Sequence, residues 1–166
     1  IHLILILLLT TKYLQLQFST MNLLISEIIK KASNAKTKAE KIKILRENNT
    51  QALRSVLKWN FDPSIESDLP EGSVPYNPND APIGTEHTVL AREYRQLANF
   101  IKRANNLTNM KRETLFIQLL EGLHESEAEI LVLVKDKKLQ SKYRITSAVV
   151  QEAFPELKWN KVKENA

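Results

Sequence analysis

Apolar residues recur at helical spacing along most of the chain. Leu24, Ile25, Ile28 and Ile29 fall in pairs four apart, which predicts a helix that Asn22 can cap. Ala39, Ile42 and Leu45 predict a second over about Thr37–Asn48. Leu53, Val56 and Leu57 predict a third, capped by Thr50, closed by Trp59 and Phe61 and stopped at Asp62-Pro63. From Thr85 or Thr88 to about Arg103, Leu90, Tyr94, Leu97 and Ile101 stand at i, i+4, i+7 and i+11 and form one stripe. Leu115, Phe116, Leu119, Leu120 and Leu123 predict an inward face on the helix after the polar break Asn105–Asn109, with Gly122 weakening its end. Ser126-Glu127-Ala128-Glu129 has the form of a capping box before the apolar run Ile130–Val134, and Lys135–Lys138 suits the negative end of that helix. A last helix spans Thr146 to Phe154, before Pro155. The expected fold is all-α, a single compact bundle of six to seven short helices.

One segment breaks the pattern. Asn60–Gly84 holds five of the chain's six prolines, with Ile65, Leu69, Val74, Tyr76 and Ile83 interleaved. A flexible linker is rich in Gly and Ser and poor in such anchors. Residues 61–84 are therefore expected to form an ordered, proline-rich acidic loop across the fold.

The start of the chain is read separately. The apolar run Leu3–Leu9 precedes the first methionine, Met21, and is far shorter than the roughly 20 residues that span a bilayer. It lacks the preceding positive charge and the small-residue cleavage site of a signal peptide. Residues 1–20 are expected to be upstream-translated sequence or a leader outside the fold, 21–157 the helical domain and 158–166 a polar tail. With residues 1–20 set aside, no membrane partner is expected.

Charge sharpens the picture. The 166 residues carry a formal +5, unevenly distributed. Residues 21–58 hold nine Lys/Arg against three acids, 59–91 six acids and no Lys or Arg, and 92–112 six basic residues against Glu93. On an ideal helix over 85–103, Arg92, Arg95, Lys102 and Arg103 oppose the apolar stripe. With Lys111 and Arg112 they form a candidate surface for DNA or RNA, bound without sequence readout. The facing candidate for a protein partner is the loop, with Asp62, Glu66, Asp68, Glu71, Tyr76 and Asp80. The loop either lies over the basic segment and neutralises it or faces away and leaves a surface of two signs.

Catalytic chemistry finds little support. There is no cysteine, no Gly-rich phosphate loop and no zinc-type histidine pair. Asp80, Glu86 and His87 would offer a metal hard oxygens and an imidazole, but a helix first turn and a loop turn account for them. Capping accounts equally for Glu121, His124 and Glu125. No catalytic residue, metal or cofactor is assigned.

"FDPSIESDLPEGSVPYNPND", "NMKRETLFIQLLEGLHESEAEILVLVKDKKL" and "VVQEAFPEL", within Leu45–Leu157, resemble a family of small uncharacterised proteins of T4-like tailed bacteriophages, including phages of marine bacteria. The resemblance implies a phage gene expressed in the cytoplasm of a bacterial host and transfers no residue roles. The expected function is that of a phage accessory protein, a non-enzymatic adaptor binding a host or phage protein. The alternatives are non-specific nucleic-acid binding and a structural place in the virion.

Overall fold

The computed structural model describes residues 2–21, 23–85 and 87–159, with the side chains of the first helix described as far as Leu14. The described residues are all-helical, with three isolated β-bridges and no strand. In chain order they form α1 (His2–Met21), α2 (Ile25–Asn34), α3 (Lys38–Glu47), α4 (Gln51–Phe61) and α5 (Leu90–Glu93). A 3-10 segment (Tyr94–Phe100), α6 (Asn109–Gly122), α7 (Glu125–Lys135), a 3-10 turn (Leu139–Ser141) and α8 (Ser147–Ala153) follow.

Threonine caps set most of these starts. Thr37, Thr50, Thr108 and Thr146 each accept the backbone N–H three residues on, at 3.2–3.3 Å. Glu40 completes a capping box at α3 through Thr37 N, and α4 ends where Asp62 meets Pro63. Asn22 lies outside the described residues. Helix α2 begins at Ile25, where the Glu27 carboxylate accepts Leu24 N at 2.8 Å.

The core joins α2–α8. Trp59 stacks on Phe100 with ring centroids 6.4 Å apart, and Phe100 meets Phe116 edge-on at 4.9 Å. Helix α3 packs between α2 and α8, while α7 touches α2, α4 and α6. Arg46 holds the end of α8 by donating to the carbonyls of Glu152 and Ala153. The described apolar side chains of α1 lie outside this core, with Leu3–Leu9 57–75% exposed. No described helix is long and apolar enough to cross a membrane.

Two expectations are corrected. The helix expected over 85–103 is a single α-turn followed by seven residues of 3-10 helix. At three residues per turn, Tyr94, Leu97 and Phe100 share a face, so Phe100 enters the core and Ile101 is only half-buried. The capping box expected at Ser126 does not form, and the helix starts two residues earlier. His124 is the cap, its Nδ1 accepting Ser126 N at 3.2 Å, and Glu129 instead pairs with Lys142. Glu127 is fully buried and accepts the N–H groups of Ile25 and Leu90, each at 3.0 Å.

Candidate interaction surface

Between Phe61 and Leu90 the described residues contain no helix, and this segment, the strap, is fastened along its length. It begins in an Asx turn, the buried Asp62 carboxylate accepting Ser64 N at 2.9 Å and its hydroxyl at 2.7 Å. Ser67 then pairs with Ile101 in an antiparallel bridge, with Asp68 N donating to Phe100 O and Lys102 N to Glu66 O. The Ser67 hydroxyl accepts from the Trp59 indole and donates to Lys135 O.

The clasp is the run Lys135–Lys138. Lys135, 3% exposed, donates to Pro70 O at 2.9 Å and to Asp136 at 2.8 Å. Asp136 in turn accepts Gly72 N at 3.0 Å. Lys135 is buried and Asp136 nearly so, and each has a backbone partner besides the other, which such a pair requires. Lys138 reaches Glu71 at 3.4 Å.

Lys137 sits at φ +56°, where glycine is usual. Its N–H and that of Lys138 close the end of α7 on Val134 O and Leu133 O. Its ammonium donates to Trp59 O and Asp62 O, caring for the carbonyl end of α4. Burial pushes this ammonium's pKa down, against the opposing pull of Asp62 and Glu66.

The later strap lies on the corner between α6 and α7. Asn77 N donates to Glu121, Asn79 bridges to His124, and Thr88 N donates to Gly122 O at 2.9 Å. A Cβ on Gly122 would lie 3.2 Å from the Thr88 methyl, so glycine admits this close approach. The Tyr76 phenol is half-buried, and burial raises its pKa, with Glu129 and Glu125 adding to the effect.

The acids expected to face a partner divide by these contacts. Asp62 is buried in its turn, and Asp68 pairs with Arg112 at 3.2 Å. Glu66 and Glu71 are exposed and paired with Lys102 and Lys138, and Asp80 is exposed.

The candidate nucleic-acid residues divide as well. Arg112 is 3% exposed and cannot meet a phosphate backbone. Its guanidinium organises the turn before α6, donating to Asn99 O, Leu107 O, Asn105 and Asn109. Five donors in a rigid fork suit that role, which a pattern of charges along a chain does not disclose. Lys102 is neutralised by Glu66 at 3.4 Å. Arg92, Arg95, Arg103 and Lys111 remain exposed, without an ion pair among the described residues.

His87 and His124, distant in sequence, meet edge-on with centroids 5.3 Å apart. His87 Nε2 lies 2.6 Å from Ala81 O, so it carries the proton, and Nδ1 is buried without a partner among the described residues. Glu86 lies outside the described residues. Among the described residues, no three His, Asp or Glu side chains gather as a metal site.

A family model matches residues 28–141, from within α2 to the end of the second 3-10 turn. The chain belongs to DUF6433, a family of unknown function. The DUF6433 match takes in the strap, its lysine clasp, Arg112 and Glu127. It begins earlier than the Leu45 expected from the quoted segments and ends before Leu157. Neither the curated proteins nor the solved structures contain a match.

Proposed function

We propose that this DUF6433 chain is a non-enzymatic interaction protein that offers a rigid surface of two signs to a protein partner. The observation that carries this reading is the fastening of the strap. Its acids Glu66, Asp68 and Glu71 are tied to Lys102, Arg112 and Lys138, and Lys135 and Asp136 hold its backbone. A segment already held in one pose loses little freedom on binding, and fixed opposite charges steer and orient a partner. Resemblance to small proteins of T4-like phages supports the finer reading, an accessory protein acting on a host or phage protein in the bacterial cytoplasm.

The test is cross-linking capture from phage-infected bacteria with tagged wild type and a Glu66→Gln/Glu71→Gln/Asp80→Asn variant. Wild type is expected to recover a specific partner that the variant loses. Recovery of none, or equal recovery by both, overturns the reading.

Non-specific nucleic-acid binding is the second reading, favoured by the exposed Arg92, Arg95, Arg103 and Lys111. It predicts a gel shift that weakens steeply with salt. The burial of Arg112 and the pairing of Lys102 leave it the weaker of the two.

A further inference from the structure

Between α4 and the 3-10 segment runs an open groove of about 370 Å³. Ile65, Leu97, Ala98 and Ile101 give it an aliphatic lining. Two cations, Lys58 and Arg95, share the lining with the neutral side chains of Gln51, Ser55, Trp59 and Tyr94. Among the described residues no carboxylate lines it. Other grooves differ in this respect. Glu27, Glu40 and Glu47 balance Lys30, Lys31 and Lys43 between α2 and α3, and Glu27 and Glu129 balance Lys30 and Lys142 in the cleft beside His124.

We propose that this groove docks an extended acidic segment of the partner protein. An aliphatic side chain of that segment rests against Ile65, Ala98 and Ile101, and its carboxylates meet Lys58 and Arg95. Charge complementarity carries the choice of occupant, since two cations beside an apolar lining select a ligand that is acidic and apolar at once. A nucleic-acid strand fits less well. Bases bound along a strand need open aromatic faces, but Trp59 is 2% exposed and the Arg95 guanidinium stands 5.8 Å from the Tyr94 ring centre. Ile65 belongs to the strap, and the Ser67–Ile101 bridge sets its wall, so the docked strap shapes the groove.

The inference deepens the interaction reading and rests on it. Its test uses the full chain and fluorescence anisotropy with a labelled octapeptide of Asp and Glu carrying a central Leu-Ile pair. Saturable binding is expected, weakened at least tenfold by Lys58→Glu/Arg95→Glu and unchanged by Lys30→Glu/Lys31→Glu. Lys58→Gln/Arg95→Gln serves if the charge reversal fails to fold, and is expected to weaken binding in the same direction. Absence of binding overturns the inference, as does binding indifferent to Lys58 and Arg95. So do a thymidine oligonucleotide that binds as tightly through the same two residues, and self-association of the chain that the double variant abolishes. If partner capture still depends on Glu66, Glu71 and Asp80 while the acidic peptide is ignored, only the groove assignment falls.

Discussion

The carboxylate of Glu127 accepts the backbone N–H of Leu90 at 3.0 Å, in a site closed to solvent. Its other oxygen accepts Ile25 N at the same distance, so one side chain on α7 satisfies the first amides of two further helices. Elements brought from three distant stretches of chain share a single carboxyl group as acceptor. Replacing Glu127 by Gln keeps the shape but turns one acceptor into a donor that faces an N–H. An orphaned buried amide costs about 1–3 kcal/mol. Glu127→Gln is expected to lower the unfolding free energy by that amount, read as a lower urea midpoint at unchanged slope, with faster amide exchange at both Ile25 and Leu90.

The same group gives stability a pH dependence of definite sign. Burial raises the Glu127 pKa above the ordinary glutamate value of 4.5, outweighing the lowering by the Leu90 and Ile25 N–H groups, and Glu27 adds to the rise. The native state therefore holds this proton more tightly than the unfolded chain. The associated stability is complete below about pH 4.5 and is lost as the pH climbs through the raised native value. The Gln variant has no such component. The stability gap between wild type and Glu127→Gln is expected to narrow from pH 4 towards pH 8 in paired urea titrations.

Much of the scaffold is legible from the chain because its determinants are local. Thr37, Thr50 and Thr146 cap within one turn, and the i, i+3, i+4 patterns of α3, α4 and α6 lie within single helices. Tyr94–Phe100 fails that test for a physical reason. Periods of 3.0 and 3.6 diverge by about 60° over three residues, so the step from Tyr94 to Leu97 suits both, and it is the burial of Phe100 in place of Ile101 that separates them. The surface is harder still. Arg112 and Lys135 stand in sequence among charges that read as solvated, and their burial depends on Asp68 and Pro70, supplied by a strap far away along the chain. The one available signal is negative. Arg112 follows the polar run Asn105–Asn109, whose amides and carbonyls require an organising donor.

Arg112 is accordingly a structural residue with a measurable signature. Its removal leaves Asp68 without its cation and frees the carbonyls of Asn99 and Leu107. Asp68 is about one-third exposed, so water recovers part of the loss. Arg112→Ala is expected to destabilise by about 3 kcal/mol in urea unfolding. Arg112→Lys recovers only a fraction, because one ammonium cannot span acceptors set by a planar fork. Faster exchange concentrated in residues 99–109 distinguishes this role from a surface one.

Lys135 makes a complementary prediction for the strap. Lys135→Met fills the same space but leaves Pro70 O and Asp136 without their cation. The Gly72 N–H bonded to Asp136 then loses its fixed acceptor. Exchange at Gly72 is expected to rise at least tenfold while Ile130 and Leu131, deep in α7, change little. Equal acceleration at all three would mean that the lysine supports the whole fold rather than the strap.

Gly122 sets backbone propensity against packing, and the contacts decide the outcome. Alanine is favoured over glycine by about 1 kcal/mol inside a helix, so Gly122→Ala, in the last position of α6, gains a part of that on propensity alone. The new methyl, however, meets the Thr88 methyl at 3.2 Å. Thr88 has little freedom to retreat, since its N–H is bonded to Gly122 O and its hydroxyl to Glu93 at 2.8 Å. Crowding is therefore expected to prevail, with Gly122→Ala about 1 kcal/mol less stable than wild type. Thr88→Ser removes the opposing methyl and keeps the hydroxyl that Glu93 accepts. In the double variant the clash disappears and the helical gain survives, so Gly122→Ala/Thr88→Ser is expected to be more stable than either single change. A four-member thermal cycle measures the coupling directly. Additive effects in that cycle would show that the strap does not press on this corner of α6.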